Sequence, residues 1–465
     1  MVLEGIDTNI YYILSIGLIL FIGILISALS SKIKISDILF LILAGVGLGY
    51  LQLDGSKLIQ FSPVFLTTLA IIALSMIVFD STSRLKLKEI DSLSVQSIKL
   101  SLLLATLVMI FLPLFMIAVI PSYRSNLGIL LAFLFASIMT GTSPAVVMSM
   151  MNNLNKKHIK ILEIESIITT PLTVLIPTII LDLFSTFNGT NAISGLPFVL
   201  DITQAFVMKI IVGFGTGLLF GMIVFKSMRR VYSKTISPLV TIATAILTYA
   251  VAETLQGNGV LAVTTLGVLF GNVYVKNKPN LQEYSQTFSS ILRILVFILI
   301  GITVTLPWDF HFWLNVLLLF AVYTIIRGTT ISFIFRKSNL TPLEKLFMTL
   351  NGAKGIAVVV MTFSLYTYRT IIKIIGQPLW QYNINMIIAF TIISILVSTV
   401  ATRFRKKLFE EDNSAMVDVS NTDNKLPHLD QGILAMRNYS KNLRKNTSNN
   451  ETKDEPIRHY SLTDR

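Results

Sequence analysis

The sequence predicts an all-α, polytopic membrane protein with about thirteen transmembrane helices. They form two inverted repeats whose discontinuous helices 5 and 12 cross at mid-membrane. Three observations carry this prediction. The 465 residues are 53% hydrophobic and only 14% charged, with a mean hydropathy of +0.72; a soluble domain carries about 25% charge. Apolar runs of nearly bilayer length recur through the first 400 positions, and about 18 such residues suffice to span. The runs are continuous in Leu, Ile, Val and Phe rather than alternating, which selects helices over a barrel.

The spans fall at 11–29, 37–52, 63–80, 99–120, 127–152, 159–184, 204–225, 236–255, 258–274, 287–306, 312–335, 347–366 and 383–401. The first follows MVLEGIDTNI, which lacks a basic n-region and a small-residue cleavage site, so it is expected to be a retained helix. Loop cations set the orientation. Loops after odd-numbered spans hold Lys32, Lys34, Arg84, Lys86, Lys88, Lys156, Lys157, Lys160, Lys226, Arg229, Arg230, Lys234, Lys276, Lys278, Arg336, Lys337 and Lys345. Loops after even-numbered spans hold only Lys57, Arg124, Arg369 and Lys373. The N-terminus is therefore expected outside and the C-terminus in the cytoplasm, at the cell membrane. The alternation fails if one span is missed, so it also supports the number thirteen.

Residues 1–402 form the transporter domain in this reading. Beyond RFRKK (403–407) the composition becomes polar and mixed in charge, as expected of a cytoplasmic, largely disordered tail over 403–465. Within the tail, 431–445 has the pattern of a helix that could lie on the membrane surface.

The net charge of +13 raises the question of nucleic acid, but its cations sit at helix ends, where they set topology. No nucleic-acid partner is expected; the expected partners are the lipid bilayer and small ions. The chain has no cysteine, which excludes disulfides, thiolate metal sites and thiol catalysis. Its histidines, His158, His311, His428 and His459, lie near interfaces or in the tail, and no two acids share a helical face at catalytic spacing. An enzyme is not expected. No GxxxxGK loop is present to drive an ATP-dependent pump. No cofactor and no tightly bound metal are implied; Na⁺, K⁺ and H⁺ are the candidate cargo.

Two interruptions stand out. TGTSPA (140–145) breaks span 5 with Gly141 and Pro144, and NGAKG (351–355) breaks span 12 with Gly352 and Gly355. Their offset of seven spans is that of two repeats, spans 1–6 and 8–13, joined by a seventh. Transporters place substrate between such paired broken helices.

Ionisable groups within the spans each need a reason, since burial in hydrocarbon costs about 2.5–3.5 kcal/mol even on mild scales. Asp80 ends span 3 and Glu253 ends span 8, so both also fit an interfacial position. Glu165 and Arg327 lie too deep to snorkel, and an acid and a base in that position are expected to pair. Lys354 sits in the break of span 12 without an obvious deep partner, unless Glu253 or Asp80 reaches it. A desolvated lysine can release its proton near neutral pH, which makes Lys354 a candidate proton carrier. Thr140, Thr142 and Ser143, with Ser166, Thr169 and Thr170, could coordinate a dehydrated alkali ion beside carbonyls freed by the break. Hydroxyls that bond back to the preceding turn are the plainer alternative.

The motifs resemble those of the cation:proton antiporter superfamily, in its sodium/hydrogen exchanger branch, through most of residues 10–402. VFDSTSRLKL (78–87) is similar to the family's Phe-acid segment. TSPAVVMSM (142–150) stands where the family has Thr-Asp-Pro, and EIESIITTP (163–171) where it has Glu-Ser-Leu-Leu-Asn-Asp-Gly. AETLQGNGVLAVTTLGVLFGN (252–272) follows its Ala-Glu, Ser-Gly-x-Leu-Ala and Gly-x-x-x-Gly-Asn pattern. Arg327 matches its buried arginine, and NGAKGIAVVV (351–360) its Gly-x-Arg-Gly-Ala stretch.

The resemblance implies thirteen helices, a homodimer, a core moving against a dimerisation domain, and electroneutral exchange of Na⁺ or Li⁺ for H⁺. It also implies a Glu165–Arg327 bridge supporting an ion site at Thr142, Ser143, Ser166, Thr169 and Thr170. Four positions depart from the pattern. The motif's first aspartate is Ser143, its asparagine Thr169, its ion-binding aspartate Thr170 and its arginine Lys354. A threonine hydroxyl does not titrate usefully. Three outcomes stay open. Coupling has moved to Lys354, Glu253 or Glu165, or an ion or other solute, an anion included, passes without protons. Otherwise transport is lost, which leaves a membrane sensor or accessory subunit.

Overall fold

The computed structural model describes residues 8–33, 37–50, 61–86, 92–143, 156–186, 196–228, 233–304, 306–338, 340–366 and 375–420. It also describes positions 52, 53, 56, 57, 59 and 368. Residues Met1–Phe404 form one compact unit and Arg405–Arg465 a second. Fourteen α-helices are present among the described residues. They are α1 Thr8–Ile33, α2 Asp37–Tyr50, α3 Pro63–Ser83, α4 Ser92–Val119, α5 Asn126–Ile138, α6 Lys156–Thr186 and α7 Leu196–Met228. The rest are α8 Ile236–Thr254, α9 Gly259–Asn272, α10 Lys278–Thr303, α11 Phe310–Ile334, α12 Pro342–Leu350, α13 Ile356–Leu365 and α14 Gln377–Ser420. A two-residue hairpin between α2 and α3 pairs Gln52–Leu53 with Ser56–Lys57. Among the described residues, nine helices are long and apolar enough to cross a membrane, and four shorter apolar ones accompany them. The protein is a multi-pass membrane protein.

Each expected span has its helix, and the differences have physical causes. Helices α4, α7 and α10 start about eight residues before the apolar runs. The first turns of α4 and α10, such as KPNLQEYSQ in α10, are helical but too polar for hydropathy to count, while α7 opens on LPFVLDIT, where Pro197 and Asp201 interrupt the apolar run. Span 12 is two helices, α12 and α13, separated by residues 351–355. Span 5 is helical only to Ile138; residues 139–143 leave the helix, and 144–155 lie outside the described residues. The last helix runs to Ser420, past the expected tail start at 403, and residues 421–465, including 431–445, lie outside the described residues.

Local chemistry sets several ends. Ser62 caps α3 through Phe65 N–H, and Pro63 occupies its first turn. Thr341 and Glu344 form a reciprocal capping box on α12. Asn258 caps α9 through Leu261 N–H, which lets the chain reverse between α8 and α9.

Helix α10 packs against α1, α2 and α3, while α9 packs against α3, α7 and α8. Helix α4 packs against α5, α6 and α11, and α13 meets α3, α6 and α10. The contact of α2 with α10 depends on glycine. A Cβ on Gly301 would collide with the Ile42 carbonyl and lie 2.8 Å from Gly45 Cα. Small residues let membrane helices approach in this way. At the same helix pair Arg293 meets the buried Asp37 at 3.4 Å, with Ser27 donating to the same carboxylate at 3.3 Å.

Gly301→Leu is expected to lower the melting temperature in detergent, by an amount equivalent to about 1–3 kcal/mol of overpacking. Gly47→Ala, at a position with no neighbour within 4 Å, should leave it unchanged or higher. A thermal-shift assay compares the two, and equal melting points would remove the close approach as a cause.

Candidate functional site

The two breaks touch. Residues 139–143 unwind after α5 because Gly141 and Pro144 disfavour the helix, and Asn351 to Gly355 unwind between α12 and α13. Ser143 N–H donates to the Ala353 carbonyl at 2.9 Å, a backbone bond directly between the two interruptions. No side chain is tolerated at their closest point, since a Cβ on Gly355 would collide with the Ser143 side chain.

The unwound groups find partners locally. Lys354 Nζ donates to the carbonyls of Met139 (2.6 Å) and Gly141 (3.0 Å), both freed by the end of α5. Its ammonium also lies 3.9 Å above the Tyr323 ring and 5.9 Å from the Phe390 ring. Lys354 N–H is taken by Ser394 Oγ at 3.0 Å on α14. The Asn351 side chain accepts from Ser398 (2.8 Å) and Thr402 (3.1 Å), again on α14, and donates to the Phe347 carbonyl that ends α12. Thr142 N–H donates to Thr169 Oγ1 at 3.3 Å, and the Thr142 carbonyl accepts from Ser166 Oγ at 2.7 Å.

Beside the crossing, Glu165 on α6 and Arg327 on α11 form a two-pronged ion pair. Arg327 Nη1 contacts Oε1, and Nη2 donates to Oε2 at 2.9 Å. Arg327 Nε reaches the Met348 carbonyl at 3.3 Å, and Thr142 Oγ1 donates to Glu165 Oε1 at 3.3 Å. All three ionisable side chains, Glu165, Arg327 and Lys354, are 0% exposed. Gly352 is required here, because a Cβ would sit 2.9 Å from Arg327 Nε.

Ser143 and Thr170 line one small cavity of about 30 Å³ together with Thr142, Ile167, Ser81, Thr82 and Gly355. That is room for about one water or one bare ion. Pro171 has no N–H, so it cannot serve the Ile167 carbonyl one turn earlier.

Not every expected residue arrives at the crossing. Asp80 turns to Arg84, four residues on, at 3.0 Å, and Glu253 is exposed at the end of α8, where it accepts Gly259 N–H at 2.8 Å. Lys354 is held by backbone carbonyls and aromatic rings instead of either acid, because the unwound end of α5 supplies acceptors at closer range. Thr140, Thr169 and Thr170 bond back along their own chain, to Ser137, Ser166 and Ser166 respectively. Tyr323, Phe390, Asn351 and Ser394 were not singled out from the sequence. Two signals existed: Tyr323 is one turn before Arg327 on the same helix face, and Ser394, Ser398 and Thr402 repeat every four residues through an apolar span.

This arrangement places one buried ammonium on two open carbonyls at the crossing of the broken helices. Residues 17–404 match the family described as "sodium/hydrogen exchanger, transmembrane". The chain belongs to the sodium/hydrogen exchanger family. Family relatives include a probable Na⁺/H⁺ antiporter 2 of Methanocaldococcus jannaschii, 24% identical over 74% of this chain and 82% of that protein. The Na⁺/H⁺ antiporter NhaH of Halobacillus aidingensis is 26% identical over 63% of this chain and 73% of its own length. Among solved structures, the sodium proton antiporter MjNhaP1 of M. jannaschii superposes with a TM-score of 0.70 at 18% identity. That match covers 83% of this chain and 96% of MjNhaP1, and it speaks to the fold.

The ion pair generates a prediction. Glu165→Ala should strip Arg327 of its counter-charge and lower stability by about 3–5 kcal/mol, whereas Glu165→Ala with Arg327→Ala should recover part of it. A double-mutant cycle on detergent melting temperatures reads the coupling, and additive losses would mean that the two side chains do not stabilise each other.

Proposed function

We propose that this chain is a secondary transporter exchanging one monovalent cation for one proton across the cell's boundary membrane. In this reading Lys354, and not a carboxylate, carries the proton. The carrying observation is that Lys354 Nζ lies on the Met139 and Gly141 carbonyls at the crossing of the two broken helices. An ammonium held by two carbonyls occupies the kind of position that a dehydrated alkali ion would take. When the ammonium gives up its proton, those two oxygens become available to a cation, with the hydroxyls of Thr142, Ser143, Ser166, Thr169 and Thr170 as further ligands where they turn from their present partners. Proton and cation thus compete for one charge vacancy.

Charge bookkeeping supports one-for-one exchange. Glu165 and Arg327 cancel, so the site carries one net positive charge with Lys354 protonated, and the same charge with a neutral lysine and one bound cation. Glu165 is held by both oxygens on a guanidinium that does not deprotonate, which disfavours it as the carrier. Glu253 is disfavoured by its exposed place at the end of α8. The cation surplus in the loops after odd-numbered spans supports an outside N-terminus and a cytoplasmic C-terminus, and homodimeric assembly comes to this reading from the family. One observation favours a second reading: an uncompensated lysine beside hydroxyls also suits a carrier of anions or organic anionic solutes.

In proteoliposomes loaded with a pH dye, an imposed K⁺ or Na⁺ gradient should drive a pH change that a clamped membrane potential leaves unaltered. Silence toward every alkali ion across neutral and alkaline pH would remove the exchanger reading and favour the second. Lys354→Gln should abolish the pH response while the protein remains monodisperse with an unchanged helical spectrum; a retained response acquits Lys354. Because the chain has no cysteine, single cysteines at positions 57 and 157 should react with impermeant maleimide from opposite sides of the membrane, position 57 from outside.

A further inference from the structure

Four features of the crossing bear on which cation fits it. The pocket beside the breaks is lined by Ser81, Thr82, Thr142, Ser143 and Thr170 together with apolar side chains such as Ile77 and Ile356, and by no carboxylate among the described residues. The nearby acid, Glu165, has both oxygens committed to Arg327 and one of them also to Thr142. The remaining acceptors are carbonyls: Met139 and Gly141 under Lys354, and Ile167, which Pro171 cannot serve. The fourth feature is aromatic. The Tyr323 ring lies 3.9 Å from the ammonium and Phe390 stands behind it, with the two rings 5.5 Å apart.

These are the ligands of a weak-field site. A small ion such as Na⁺ or Li⁺ holds its water tightly, and stripping it requires a concentrated negative charge. A larger, loosely hydrated ion is satisfied by neutral dipoles, so field strength and ligand number decide between them. Ring faces add in the same direction, because they attract ammonium-type cations once water is excluded. The molecule carries its own probe of the site: a primary ammonium, close in size to K⁺, already sits among the carbonyls and rings, at 2.6 and 3.0 Å from the two carbonyl oxygens.

Resting on the exchanger reading above, we infer that the transported cation is a weakly hydrated ion of ammonium size, K⁺ or NH₄⁺, and that Na⁺ and Li⁺ are discriminated against. The group that Lys354 presents is a tethered copy of that cargo. It occupies the carbonyl and aromatic site in one half of the cycle and vacates it in the other.

Two measurements test this. In proteoliposomes, gradients of K⁺ or Rb⁺ should drive proton flux with an apparent affinity at least about tenfold above that for Na⁺ or Li⁺, equivalent to about 1.4 kcal/mol of selectivity. A preference for Na⁺ or Li⁺ overturns the inference and leaves the exchanger reading intact; no flux with any ion overturns the exchanger reading itself. The second measurement does not need transport. Lys354→Ala empties the tethered position, so methylammonium should raise the melting temperature of the purified variant by several degrees, with K⁺ smaller and Na⁺ ineffective. The unaltered chain, whose site is filled, should not respond to methylammonium. Equal responses to Na⁺ and methylammonium, or equal responses of variant and unaltered chain, overturn the site. Should the variant fail to fold, the flux order in the unaltered chain decides.

Discussion

A backbone group without a hydrogen-bond partner is more costly inside a bilayer than anywhere else in a protein, and this fold interrupts two helices there. The structure depends on how those interruptions are closed. Each supplies partners for the other: Ala353 accepts from Ser143, while Lys354 takes the two carbonyls that α5 leaves open. Flanking helices supply the rest, with Ser166 and Thr169 from α6 and Ser394, Ser398 and Thr402 from α14. Much of the hydroxyl content around the crossing therefore serves to make the broken backbone tolerable. The same bonds can be exchanged for ion contacts, which is what makes a broken helix a transport device as well as a weak point.

Electrostatics reinforces this economy. Burying three ionisable side chains together is tolerable because two of them form a two-pronged pair and the third has carbonyls and a ring face. The pair is fixed on α6 and α11, and it reaches the breaks through the Thr142 hydroxyl and the Met348 carbonyl. It thereby anchors both interruptions without supplying a free charge to the pocket. Lys354 supplies that charge from inside the unwound segment, where a small change of backbone can move it. One group positions and the other responds, and their placement on rigid and irregular chain respectively suits those duties.

Much of this was legible in the sequence, and the limits are physical. Spans are written in long apolar runs, and interruptions in Gly and Pro at matching places, so thirteen spans and two breaks could be read directly. The pairing of Glu165 with Arg327 followed from charge alone, since neither could be left unpaired at that depth. What the sequence concealed was the backbone. The Met139 and Gly141 carbonyls have no signature in residue type, so Lys354 read as a residue without a deep partner, with Asp80 or Glu253 as the alternative. Both acids found local partners instead, Arg84 and Gly259 N–H. The six hydroxyls near the two breaks left two readings open in the sequence, ion ligands or bonds to the preceding turn, and Thr140 and Thr170 donate to that turn here. Polar first turns of α4 and α10 were also invisible, because hydropathy measures the membrane and not the helix.

The departures from the family pattern make sense together rather than singly. Where the resemblance implies an aspartate that binds either ion or proton, Thr170 has no titratable group. Where it implies an arginine in the second break, Lys354 stands, and lysine differs from arginine chiefly in being able to lose its proton. Removing the acid alone would leave a permanently charged arginine facing a pocket with no counter-charge, which neither admits a cation nor releases a proton. Replacing the arginine alone would create two titrating groups in one small space, with protons shared between them. In the proposed exchange the two changes in combination keep one titrating group at the crossing and place it on the unwound segment before α13 instead of on α6. A single charge is then still exchanged, and the neutral pocket left on α6 has the weaker field that the proposed preference for a larger ion requires.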